Sequence, residues 1–179
     1  GAQLAAAAGT LHVRVGGVAD SDGKVGYGKV AAKSDGGSLG LITVGRVQAE
    51  AEHAQVRLAV VRDGANLANV AAIDVDARSR PDVTAESFAV DVAGIFVQVN
   101  ESLATVGGST KATTGTGVTL PGSVRITADA VTTLFADQRG GSGGVIGYGG
   151  NDARATSTMA VEASLGAGNA AAAGERVSL

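Results

Sequence analysis

The sequence predicts an all-β protein, a parallel β-solenoid (β-helix) assembled from about three repeats of roughly 50–60 residues. Three observations lead there. The side chains are small: Gly and Ala make up 35% of the 179 residues, beside 24 Val, 11 Leu, 5 Ile, 3 Phe and no Trp. Such residues cannot fill a wide core to native density, but they can fill an interior two or three side chains across. A Gly-led turn with a short alternating strand then recurs along the chain, and a second strand-forming block recurs in phase with it.

The first repeat, about 1–63, opens on Gly1-Ala2-Gln3-Leu4 and runs through an Ala stretch into Leu11-His12-Val13-Arg14-Val15. The second, about 64–116, opens on Gly64-Ala65-Asn66-Leu67 and leads to Ile73-Asp74-Val75-Asp76-Ala77. The third, about 117–165, opens on Gly117-Val118-Thr119-Leu120 and leads to Val124-Arg125-Ile126-Thr127-Ala128. A fourth begins at 166–179, with Gly166-Ala167-Gly168-Asn169 before Val177-Ser178-Leu179, from which a piece of a longer array is expected. These strands start 62, 51 and 53 residues apart. The second block reads Gly40-Leu41-Ile42-Thr43-Val44, then Gly94-Ile95-Phe96-Val97, then Gly144-Val145-Ile146-Gly147-Tyr148, with leading glycines 54 and 50 residues apart.

Turn residues separate the strands: Asp22-Gly23, Asp35-Gly36-Gly37, Asp63-Gly64, Gly107-Gly108-Ser109, Pro121-Gly122 and Gly140-Gly141-Ser142-Gly143-Gly144. One segment, 46–62, carries the opposite signal. Val47, Ala51, Ala54, Leu58 and Val61 fall on one helical face among good helix formers. Its counterpart in the second repeat, Ser109–Gly115, is rich in Thr and Gly and is a poor helix, so consistency between repeats favours strand. Ala5–Ala8 and Ala170–Ala173 are also helix-prone but too short to stand alone.

Parallel stacking would place equivalent residues about 4.8 Å apart. On the outer face His12, Asp74 and Arg125 then form one column and Arg14, Asp76 and Thr127 the next, with Arg14 expected against Asp76.

Composition excludes several function classes. Net charge is −3 and the 14 basic residues are scattered singly, so no nucleic-acid footprint exists. No apolar run reaches the length of a spanning helix, and 3% aromatics cannot form the girdles of an outer-membrane barrel, so no membrane insertion is expected. The absence of Cys removes disulfides and thiolate chemistry while leaving compartment open.

Candidate chemistry is sparse. Asp74 and Asp76 lie two apart on one strand face, the spacing at which paired carboxylates flank a glycosidic bond, but Arg78, Arg14 and Arg125 would neutralise them. Glu50, Glu52 and His53 resemble a ligand cluster, yet in a strand Glu50 and Glu52 alone share a face. Asp20-Ser21-Asp22-Gly23 resembles the start of a calcium loop, with Lys24 where a further oxygen ligand is needed. Gly140–Gly150 lacks the Gly-Lys-Ser/Thr of a phosphate cradle and is better read as close backbone approach. His12 and His53 are the two potential His bases, and no Ser sits in an elbow motif. Thr105, Thr110, Thr113, Thr114, Thr116 and Thr119 are too irregular for an ice-binding column. No catalytic, cofactor-binding or metal residue is assigned.

The closest copies of a diagnostic box are Gly143-Gly144-Val145-Ile146-Gly147-Tyr148-Gly149-Gly150 and the Val124–Ala128 strand before it. With them, most clearly over 117–179, the chain resembles the Ala/Gly/Val-rich β-strand repeats of giant bacterial filamentous adhesins, the leukotoxin-like and filamentous haemagglutinin-like surface proteins. The middle box, Gly94–Val99, departs by losing most of its glycines. The resemblance implies an exported, non-catalytic role at the bacterial cell surface, as a rigid stalk whose partners are neighbouring repeats, other copies in a filament, or host and surface glycans. Any binding would then use an exposed face or the loop Asp20–Gly28. The alternative functions are a carbohydrate-active β-helix enzyme using Asp74 and Asp76, or a module binding glycan or ice surfaces.

Overall fold

A computed structural model describes residues 9–16, 27–170 and 176–178. Every regular element among them is a strand: β1 (Thr10–Val15), β2 (Tyr27–Val61), β3 (Ala72–Thr114), β4 (Ser123–Ala130), β5 (Thr133–Gly143), β6 (Ile146–Ser157), β7 (Ala160–Ser164) and β8 (Arg176–Ser178). All pairings are parallel and the sheet does not close on itself. The long, repeatedly bent β3 is the middle layer. β1 and β2 pair along one of its edges, β4 to β7 along the other, and β8 continues from β4.

The register matches the spacing of the alternating strands. Leu11 pairs with Ile73, Ile73 with Val124 and Val124 with Val177. Each repeat unit therefore supplies one layer rather than two. The columns His12–Asp74–Arg125 and Arg14–Asp76–Thr127 form as expected. A left-handed glycine recurs with the layers: Gly64, Gly117 and Gly168 have φ of 66°, 63° and 68°. The tight turn entering each layer demands this conformation, which Gly adopts without a Cβ penalty.

Two sequence expectations need correction. Gly168, not Gly166, takes the turn position of the fourth unit, because the conformation and not the first Gly of the motif sets the phase. The middle box is slipped by one residue. Gly40 pairs with Ala93, and a Cβ on Gly144 would collide with the Ala93 carbonyl, while Gly94 sits one place further on, over the Leu41 carbonyl. The helical signal of 46–62 is overridden, in line with the strand that consistency between the repeats favours. β2 runs through to Val61, and its backbone groups pair with residues 99–114, which a helix would leave without a ladder on that edge. Ala49 and Ala51 point inward and Glu50 and Glu52 outward. Ala5–Ala8 and the Asp20–Lys24 loop lie outside the described residues, as does most of Ala170–Ala173.

The interior tapers. At the broad base Val61, Leu67, Ile73, Val75, Val118, Leu120, Val124 and Ile126 form one buried cluster. Beyond it the chain doubles into two facing walls. Ala49, Ala51, Val83, Ala85, Ala104 and Val106 form a narrower cluster between them. Further out the space shrinks again: a side chain on Gly36 would strike Val47 from the opposite wall. At this tip the usual polarity is reversed. Ser87, Asp91, Gln98, Asn100 and Ser102 are buried, whereas Phe88, Val90, Val92, Ile95 and Val97 are 40–51% exposed.

Candidate functional site

The outer face of β1, β3 and β4 carries the two predicted charge columns, since strand alternation sends Asp74 and Asp76 outward while Ile73, Val75 and Ala77 fill the base. Asp74 Oδ2 lies 3.0 Å from Arg14 Nη2 and 3.2 Å from His12 Nδ1. Partial burial opposes the charged form of Asp74. Hydrogen bonds from Arg14 and His12, with the nearby charges of Arg14 and Arg125, outweigh this and hold its carboxyl below the ordinary value of 3.8. Arg14 thus pairs with Asp74 and not, as the column predicts, with Asp76. Asp76 is instead held by Arg78, whose Nε lies 2.8 Å from Oδ2 and 3.1 Å from Oδ1. The hydrogen bond and charge of Asp76 raise the Arg78 pKa. Arg125 turns to Thr127 at 3.3 Å. Both carboxylates of the candidate acid pair are therefore engaged by arginines, in the geometry of a structural ladder.

A shallow recess on the wall formed by β2, β3 and β5 is lined by Lys33, Asp35, Glu86, Phe88, Asp137 and Arg139. Lys33 Nζ meets Glu86 Oε2 at 2.5 Å, and this hydrogen bond and charge raise the lysine pKa. Arg139 Nε meets Asp137 Oδ2 at 2.6 Å. Opposite charges thus neutralise one another between and along the layers. Lys111 and Glu162 repeat the pattern at 2.9 Å, and with Ser164 the lysine holds the Glu162 carboxyl low. Arg46 and Glu101 do so at 2.5 Å on the opposite wall.

The other candidates are dispersed. His53 points inward beneath Gly28, with Nε2 buried and without a hydrogen-bond partner among the described residues, whereas Glu50 and Glu52 point out. The described residues hold no group of three His, Cys, Asp or Glu that could bind a metal. Thr110 and Thr114 are buried, and Thr114 Oγ1 accepts hydrogen bonds from Asn169 Nδ2 and the Gly166 amide. Thr116 donates its amide to Asp63, and Thr119 bridges to Asn66 and Ala170, so the six threonines share no face. In the glycine run, Gly144 and Gly147 leave room for the Phe96 ring of the layer below, which any Cβ there would strike. Close approach, not anion binding, explains these glycines.

Sequence reasoning missed the reversed tip. There Ser102 Oγ bonds to Ser87 Oγ at 2.8 Å and to the Asp137 carbonyl at 2.7 Å, and Ser38 bonds to Asp91. Outside, Ile42, Ile95 and Ile146 form one exposed column and Val44, Val97 and Tyr148 the next. The alternation Val97-Gln98-Val99-Asn100 was the available signal, but it names two faces without saying which is inside.

No protein-family model matches the chain, and neither does any curated protein or solved structure.

Proposed function

We propose that the chain is a β-solenoid segment acting as a structural repeat of a large exported bacterial fibre or adhesin, a rigid extended stalk outside the cell. The observation that carries this reading is the register: strands 51 to 62 residues apart pair residue by residue through successive layers. Such a stack has no natural stopping point, because each outermost layer presents an open ladder to the next. Its mechanism is mechanical, with length from repetition and stiffness from parallel hydrogen-bonded ladders. The ion pairs of Asp74 with Arg14, Glu86 with Lys33 and Glu162 with Lys111 support the same role, since each joins two neighbouring layers. The expected partners are neighbouring repeats of the same polypeptide.

Electron microscopy and small-angle scattering of the parent polypeptide test this. Rods of uniform width, lengthening by about 4.8 Å for each added repeat, are expected. Compact particles would overturn the reading. So would a glycan-cleaving activity that disappears when Asp74 and Asp76 are both replaced by Asn, which would favour the enzymatic alternative.

A further inference from the structure

The outer face of β2, β3 and β6 at the tip is apolar where a solvated sheet would be polar. Ile42, Ile95 and Ile146 are 71%, 45% and 64% exposed, and Val44, Val97 and Tyr148 are 80%, 40% and 69% exposed. These six side chains present roughly 600 Å² of surface, at the upper limit for the largest patch of an ordinary monomer. They lie in two straight columns on a parallel sheet, a sheet type that is normally covered on both faces. We infer that this face packs against the same face of a second copy of the chain.

Charge and symmetry select that occupant. On the same face, six residues further along the strands than the Val44 column, Glu50, Leu103 and Arg154 form a column of their own, with Glu50 in the first layer and Arg154 in the third. Both charges are exposed, and neither makes an ion pair among the described residues. A half-turn about an axis along the strands lays the first layer of one copy on the third layer of the other. Ile42 then meets Ile146 of the second copy, Val44 meets Tyr148, and Val97 meets its own counterpart. Glu50 faces Arg154 twice, once at each end. Gln48 falls on Asp152 of the second copy with Arg46 beside it, and Glu101, neutralised by Arg46 of its own copy, faces its counterpart. A patch of this size, with its charged rim, reaches the roughly 800 Å² per partner of a standard interface. A lipid surface fits less well. The rim mixes Arg46 and Arg154 with Glu50, Glu101 and Asp152, giving no basic cluster for anionic headgroups, and the open sheet edge would enter hydrocarbon without hydrogen-bond partners.

The experiment measures mass in solution by light scattering on the intact chain at micromolar concentration, with far-UV circular dichroism as the fold control. The expected species has twice the 17.4 kDa chain mass. Val97→Lys with Ile95→Lys should return it to monomer with unchanged dichroism. Glu50→Arg should weaken the dimer at least tenfold, and adding Arg154→Glu should restore it. Because the chain has no Cys, Val97→Cys gives a single thiol that a short bis-maleimide should join into a covalent dimer. A monomeric wild type overturns the inference. So does association that survives the double Lys variant or leaves the single thiol unlinked, since that pattern belongs to end-to-end pairing through the open ladders. Binding to anionic vesicles by a chain that stays monomeric would assign the face to lipid and also overturn it.

Discussion

Two glycines separate the conformational from the steric demands of stacking. Gly117 has φ of 63°, and a Cβ there would meet nothing within 4 Å. Gly117→Ala therefore costs the left-handed backbone conformation alone, about 1–2 kcal/mol, partly offset by about 0.4–1 kcal/mol because Ala restricts the unfolded chain. The net loss of about 1 kcal/mol lowers the melting temperature by roughly 2–4 °C in a chain of this size. Gly108 differs. Its φ is 111°, and a Cβ would overlap the Gln55 carbonyl oxygen of the layer below, with the Gln55 carbonyl carbon and amide nitrogen both at 2.8 Å. A backbone carbonyl cannot swing aside as a side chain does, so Gly108→Ala must part the first two layers and is expected to cost at least about 3 kcal/mol. Gly117→Asn serves as a control, because Asn tolerates the left-handed region, and it should lose less than Gly117→Ala. Urea and thermal unfolding of the three variants provide the measurement. Equal losses at the two positions, or a Gly108→Ala chain as stable as the parent, would refute the close approach of layers on which the fold rests.

Other outcomes follow from the base and the outer ladder. Ile126, 1% exposed within the base cluster, should lose about 2–5 kcal/mol on replacement by Ala, read from the urea midpoint, because the ladders on either side hold the walls apart and prevent collapse into the cavity. Asp74 has a folded pKa below its ordinary value of 3.8, so its contribution to stability is complete above that value and disappears as pH falls through the lower folded one. Unfolding midpoints of the parent should therefore drop more steeply below about pH 4 than those of Asp74→Asn, and parallel profiles would exclude the ion pairs with Arg14 and His12.

The stacking register was legible in the sequence because it depends on spacing. Leu11, Ile73, Val124 and Val177 pair at the intervals their positions dictate. Side-chain partnership was less legible: Arg14 reaches Asp74 by a diagonal that a column cannot distinguish from the straight path to Asp76. The polarity of the tip was hidden for a different reason. From Pro81 to Ala93 the strand continues without a bulge, so the inward setting of Val83 and Ala85 also sends Asp91 inward. The apolar neck thus decides the orientation of residues whose own polarity argues the other way. The engagement of the outer carboxylates by arginines was readable beforehand, since Arg78 stands two positions from Asp76 and Arg14 in the layer below, whereas the exposed isoleucine column needed the register itself.

The layers do not have equal lengths. Between β1 and β2 the pairing offset falls from 62 to 53, so the first layer carries nine extra residues between Val15 and Tyr27, yet the ladders on both sides keep step. The register therefore tolerates unequal lengths: β1 and β2 keep their partners on β3 although the intervening stretches differ by nine residues. A peptide inserted between Val15 and Tyr27 should accordingly leave the pairing of β1 and of β2 with β3 unchanged.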